Sequence, residues 1–278
     1  MYLADYHTHS RYSFDGSEEL ETMCEQALRA GLSEIAVTDH MDIYTGFGYG
    51  RMIDYDVTCG RPWVMQVKEL YEELAEIRDR YAGRLKVKLG SELGQPQVNP
   101  AAARKFLSDY QLDFVIGSVH NMEHDLDVYY YDFDKVYGAA LFDHYLDWLQ
   151  EMADTCDFDV MGHITYPLRY LFERTGKRIS LEPYEEKLRI LFQTLVKSGR
   201  GIELNVSGLA KPMQETLPPF SLLCLYRECG GEIITIGSDA HKAQQIGMFQ
   251  KEGQQMLREA GFSYLTVYTG RKPEFVRL

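Results

Sequence analysis

Seven apolar runs along this chain each end in a side chain able to bind a metal ion or donate a hydrogen bond. In order these are His7, His40, Glu92, His120, His163, Asn205 and Asp239. Helical patterns separate the runs, and strand–helix alternation implies parallel strands joined by right-handed crossovers. A doubly wound sheet gathers its ligands at one switch point. A barrel brings every carboxyl strand end to one face and sets the last strand beside the first. The pattern therefore predicts an α/β chain whose seven or eight parallel strands close into a barrel, with Asp239 and His241 returning to His7 and His9.

Strands are expected over residues 2–7, 34–38, 86–89, 113–118, 158–162, 201–204 and 232–236. Helices are expected after Ser17, running to Ala30, then over 62–81, 99–109, 134–154, 181–198 and 221–229, and over 242–260. Residues 264–268 read as an eighth or an outer strand. Residues 41–61 hold Gly46, Gly48 and Gly50 and are long enough for a functional loop over a pocket. Barrels of this length commonly remain one domain, so residues 1–278 are read as a single unit.

The stretch DYHTHSRYSFD delivers two histidines at positions i and i+2, which share one face of an extended strand. GSDAH repeats that spacing with Asp239 and His241. A lone histidine at a strand end is more often a hydrogen-bonded structural residue than a ligand, but independent structural reasons for all of these are implausible. His124 and His144 fall outside the pattern and read as packing or surface residues. Imidazole and carboxylate donors without clustered thiolates suit Zn²⁺, Fe²⁺ or Mn²⁺, and their number exceeds one tetrahedral ion. Glu92 is the natural bridge between neighbouring ions. Such a site can activate a water and clamp an in-line displacement at phosphorus, so metal-assisted hydrolysis is the chemistry expected.

The alternatives are weaker. GSELG places Glu92 where a nucleophile elbow needs serine, and no P-loop, G-x-G-x-x-G or H-E-x-x-H motif occurs. A net charge of −13 argues against a nucleic-acid partner. No stretch approaches the roughly 20 apolar residues of a membrane span. Five scattered cysteines (Cys24, Cys59, Cys156, Cys224, Cys229) without a C-x-x-C pair fit reduced thiols, and Asp5 and His7 interrupt any signal-peptide core, so a cytoplasmic location is expected.

The blocks DYHTHS with Asp15-Gly16, TDH at 38–40, GSELG around Glu92, GSVH at 117–120, GH at 162–163 and GSDAH at 237–241 together resemble the PHP (polymerase and histidinol phosphatase) phosphoesterases. Within that family the chain resembles the histidinol-phosphatase branch. The resemblance implies a distorted (β/α)7 TIM-like barrel, in agreement with the strand count, and three divalent ions: His7, His9, Glu92 and Asp239 at the first, Glu92, His120 and His163 at the second, and Asp15, His40 and His241 at the third. It also implies hydrolysis of a small phosphomonoester, L-histidinol phosphate, by a metal-bound hydroxide, with Asp239 or His241 protonating the leaving group. Arg169 is the expected phosphate clamp and Lys211 a second candidate, against a solvated loop lysine. Thr165 and Ala210 stand where the branch often has an acid and an arginine. Other expectations are a nucleotide or oligonucleotide-end substrate and a metal-binding scaffold without turnover.

Overall fold

A computed structural model describes residues 1–44, 66–122 and 126–278, with the backbone alone at 51–53 and 62–64. Much of the expected loop at 41–61, together with Cys59 and His124, lies outside the described residues.

In chain order the elements are β1 (Ala4–Asp5), α1 (Leu20–Arg29), β2 (Glu34–Val37), β3 (Arg51–Ile53), β4 (Pro62–Val64), α2 (Val67–Tyr81) and β5 (Lys86–Gly94). Next come α3 (Pro100–Asp109), β6 (Phe114–Ser118), α4 (Gly138–Thr155), β7 (Val160–Met161), α5 (Tyr166–Thr175), α6 (Glu185–Lys197) and β8 (Gly201–Asn205). The chain ends with α7 (Phe220–Glu228), β9 (Ile234–Gly237), α8 (Gln250–Glu259), β10 (Tyr264–Thr269) and β11 (Lys272–Arg277).

Seven strands form one parallel sheet in the order β1-β2-β5-β6-β7-β8-β9. Its two edges meet where Tyr6 N donates to Ile236 O at 2.9 Å, His9 N to Ala240 O at 2.8 Å and Ala240 N to His7 O at 3.3 Å. The result is the closed barrel expected from the strand ends, in the distorted (β/α)7 form that the resemblance implies. Strands covered on both faces read as apolar runs, and Ile35, Val115, Ile116, Ile202 and Ile234 are all fully buried. The surrounding helices bury one stripe each, as in α1 with Leu20, Met23, Cys24 and Ala27 at helical spacing. In α3, the Asn99 side chain accepts from Ala102 N and Pro100 fills the first turn.

Several element ends shift by a few residues from the sequence reading, and four departures are larger. Residues 62–64 pair antiparallel with β3 instead of opening α2, since Trp63 and Val64 favour a strand. β5 runs on to Gly94, so Glu92 lies inside a strand, with its neighbour Leu93 beside Gly117 of β6. A helix not among those expected, α5, starts with Pro167 in its first turn and stops at Gly176 in the left-handed region. Finally α8 begins at Gln250, after Gly247 (φ 76°) and Phe249 (φ 54°) interrupt the helical path.

The 264–268 segment is an outer strand. β10 and β11 form an antiparallel hairpin across the amino ends of the barrel strands. Ile234 N donates to Thr266 Oγ1 at 3.0 Å, Tyr268 N to Tyr6 Oη at 2.6 Å, and Arg271 Nε to Asp159 Oδ2 at 2.7 Å. The opposite mouth is left to the polar strand ends.

Candidate metal centre

Glu92 sits at the centre of that mouth, fully buried. Its Oε2 lies 3.2 Å from His7 Nε2, 2.9 Å from His40 Nδ1 and 3.6 Å from His9 Nε2. Its Oε1 lies 3.1 Å from His120 Nε2 and 2.9 Å from His163 Nε2. On the far side Asp239 Oδ1 is 3.7 Å from His7, 3.5 Å from His9 and 3.6 Å from His241. Asp15 closes the ring, 3.1 Å from His241 Nε2 and 3.6 Å from His40 Nε2. All nine residues singled out as ligands from sequence therefore converge.

Four overlapping groups hold donor atoms within 4.8 Å of one another: His7–His9–Asp239, His7–Glu92–His163, His40–Glu92–His120 and His9–His40–His241. Several donors nevertheless have no hydrogen-bond partner: His7 Nε2, His9 Nε2, His40 Nδ1, His241 Nε2 and Glu92 Oε2. They approach one another closely but without hydrogen-bond alignment. A buried polar atom left unpaired costs roughly 1–3 kcal/mol, so a cluster of five aimed at one space fits a group that binds them all. Imidazole nitrogens and carboxylate oxygens are the donors divalent transition metals take.

Electrostatics agree. Burial opposes charge on Glu92, yet His7, His120 and His40 hold its carboxyl well below the usual range. Asp239 is likewise held down against burial by His7, His9, His241 and Arg169. Burial would depress His120, but Glu92 and Asp42 push it up to about 10. His9 goes the other way, driven well below its ordinary value by burial and by His241 and His40. Asp239 also adopts a left-handed backbone (φ 53°), an uncommon conformation for aspartate of the kind stored at functional sites.

A second ring of residues aims the histidines, and the sequence reading missed it. Glu203, buried in β8, meets His7 Nδ1 at 2.6 Å and accepts from His163 N at 2.9 Å. Asp42 lies 3.1 Å from His120 Nδ1. Ser13 lies 3.1 Å from His9 Nδ1, accepts from His40 N at 3.1 Å and donates to Asp39 at 2.7 Å. Partners on the second ring nitrogen fix which nitrogen faces the site. The sequence did carry a signal for Glu203, a charge alone in the buried run GIELN.

Arg169, carried on α5, is buried and lines the pocket, its Nη1 3.7 Å from Asp239 Oδ2 and donating to Ser207 Oγ at 3.3 Å. Lys211 is not brought there. The short helical turn Ser207–Ala210 carries it to the surface, where it is exposed and outside the pocket lining. Phe14, Asp42, Asp127, Tyr166 and Tyr170 complete the wall. A larger groove of about 410 Å³ lies on the other side of α5, lined by Leu168, Leu171, Phe172 and Arg178, and holds none of the nine ligands.

Comparison with known proteins agrees with this geometry. Over 275 residues the chain is 26% identical to the histidinol-phosphatase of Lactococcus lactis, covering 98% of this chain and 96% of that one. It is 24% identical to a protein of Thermotoga maritima named "Probable histidinol-phosphatase", over 99% of this chain and 100% of that one. The crystal structure of the Lactococcus lactis histidinol phosphate phosphatase, complexed with zinc, L-histidinol and phosphate, superposes with a TM-score of 0.82 at 25% identity, covering 98% of both chains. The PHP domain model matches residues 5–207, which contain seven of the nine convergent ligands, and the chain belongs to the PHP domain family.

Proposed function

We propose that the chain hydrolyses L-histidinol phosphate to L-histidinol and phosphate. That it is a phosphoric monoester hydrolase rests on its histidinol-phosphatase relatives and on the fold it shares with the zinc, L-histidinol and phosphate complex. The observation that carries the reading furthest is the cluster of unpartnered donors around Glu92, with a buried arginine beside it.

Three divalent ions are assigned here. His7, His9, Glu92 and Asp239 would hold the first, Glu92, His120 and His163 the second, and Asp15, His40 and His241 the third. The His7–His9–Asp239 group supports the first set. Zinc in the Lactococcus relative favours zinc, and the same donors suit manganese or iron. Bound ions would supply Lewis-acid charge neutralisation and an activated water.

The remaining work falls to the chain itself. Arg169 presents Nη1 on the pocket side and would pair with phosphoryl oxygens through a planar fork. Its charge is fixed, since Tyr170, Asp239 and Tyr166 outweigh burial and raise its pKa. Asp239, ionised at neutral pH, has Oδ2 turned to Arg169 and Oδ1 to the histidines. On this reading Oδ2 takes up the proton released by the attacking water and returns it to the leaving alkoxide, while His241 Nδ1, 3.0 Å from the Asp239 carbonyl oxygen, holds that residue in position.

The test is turnover of a panel of phosphomonoesters, including L-histidinol phosphate and nucleotides, with added Zn²⁺, Mn²⁺ or Fe²⁺. Histidinol phosphate should be preferred by kcat/KM. Equal rates across the panel would remove the substrate assignment and leave a phosphatase. Bound metal without turnover of any of them would make the chain a scaffold.

A further inference from the structure

His120 lies two residues past the end of β6, where the sheet no longer holds it. β5 and β6 pair in register as far as Gly94 and Ser118, and Gln95 N still donates to Ser118 O at 2.7 Å. In a continuing parallel ladder the carbonyl of Gln95 would next accept from His120 N. Instead Gln95 adopts a left-handed backbone (φ 36°, ψ 54°), and its carbonyl accepts from Val98 N at 3.2 Å. The side chain takes over the lost position. Gln95 Oε1 accepts from His120 N at 3.0 Å and from Asn121 N at 3.2 Å.

This conformation is unfavourable on two counts. Residues with a Cβ seldom adopt a positive φ, Asn and Asp being the usual exceptions, and the residue before a proline, here Pro96, is pushed toward extended backbone. Gln95 is also fully buried with its Nε2 unpaired, so the oxygen is the half of the amide in use. Strain of this kind persists where the surroundings over-determine it, and it gathers at functional sites. Here it serves His120, whose Nε2 lies 3.1 Å from Glu92 Oε1 and 3.2 Å from His163 Nε2, while Asp42 takes the other ring nitrogen. Asp42 can stand there because residue 94 is glycine: a Cβ on Gly94 would fall 1.6 Å from Asp42 Oδ1. Gly94 admits the partner of the ring and Gln95 pins the backbone behind it.

We infer that Gln95 is a positioning residue of the metal centre: its amide oxygen, standing in for its own main-chain carbonyl, sets His120 against Glu92 and His163, and the metal affinity of that group depends on it. The inference deepens the metal-centre reading above and rests on it, and it needs no particular substrate.

Titration of the zinc-loaded protein with a competing chelator tests it, with circular dichroism melts to show that each variant folds. Gln95→Gly separates positioning from folding, because glycine suits the left-handed backbone and the substitution removes the oxygen. It should melt close to wild type and yet hold at least one zinc equivalent at least tenfold more weakly, the scale of losing a partner that orients a ligand. Gln95→Met, near in size and without the acceptor, should lose the same affinity. Gln95→Glu should restore it, since successive backbone N–H groups suit an anionic oxygen and the amide nitrogen it replaces makes no hydrogen bond.

Wild-type zinc affinity in the folded fraction of both Gln95→Gly and Gln95→Met would overturn the inference and leave Gln95 a structural residue. A Gln95→Glu protein that binds zinc as weakly as Gln95→Met would overturn it too. If Gln95→Gly does not fold, the contrast between Met and Glu decides alone. A wild type that binds no zinc would remove the metal reading of the site, and this inference with it.

Discussion

Two fully buried glutamates stand at opposite ends of this barrel, Glu34 at the amino ends of the strands and Glu92 at the carboxyl ends. Glu34 is satisfied from within. Tyr2 Oη donates to it at 2.5 Å, Tyr6 Oη donates to its other oxygen, and Lys88 and Lys86 lie 3.5 and 3.8 Å away. Glu92 has five histidine nitrogens around it, and its Oε2 makes no hydrogen bond. Burial is the same for both. What differs is whether the protein itself supplies the partners: a completed hydrogen-bond shell marks a structural charge, and an uncompleted one marks a charge kept for something that binds.

The sharpest way to break this contrast is to exchange each glutamate for its amide. Glu92→Gln should strip metal from the protein, read by elemental analysis, and lower kcat/KM by about 10²–10³-fold or more, the scale of removing one electrostatic stabiliser. Glu34→Gln should instead leave kcat/KM of the folded fraction unchanged and cost about 1–3 kcal/mol in a denaturant melt. Comparable activity losses in both would erase the distinction.

Chelation addresses the same point without mutation. Removing the ions should abolish turnover and lower the melting temperature, since a ligand at a hundred times its Kd stabilises by about 2.7 kcal/mol per site. Added Zn²⁺ should restore both. A smaller effect is expected at Glu203, which orients His7 and never faces the substrate. Glu203→Gln should weaken metal affinity by about 10–100-fold, the usual cost of losing such a partner. Titration with a competing chelator reads that directly.

The smallest effect belongs to the amino-end hairpin. Burial pushes the Asp159 carboxyl up to about 6 although Arg271 pulls it down. The folded protein then binds this proton more tightly than the unfolded chain, so the group's contribution to stability is complete below pH 3.8 and lost as pH rises through about 6. Asp159→Asn should flatten that part of the stability–pH curve while turnover at neutral pH stays unchanged.

The carboxyl end was readable because its residues break a pattern. A histidine that closes an apolar run is conspicuous, and seven runs in register leave few topologies. The supporting groups break no pattern. Asp39 and Asp42 flank a histidine already noticed, and Glu203 becomes meaningful only when β1 and β8 are known to flank β9, where Gly237 leaves room for Glu203 to reach His7. α5 carried its own signals, Pro167 and Gly176, yet its start three residues after His163 leaves little room for the expected connection. Arg169 was singled out by its distance from His163, and Lys211, weighed against a solvated loop lysine, is the latter, because the turn at 207–210 carries it outward.

Backbone bonds between Ala240 and residues 7 and 9 join opposite ends of the chain at the centre of the site. During synthesis the histidines of DYHTHS emerge early, and their partners Asp239 and His241 emerge only after all seven barrel strands. For most of that time the earliest ligands have nothing to close against, and a contact so distant in sequence is among the slowest to form. Metal that arrived early would meet loose histidines on an open sheet edge, so the centre is built in full only when the barrel shuts.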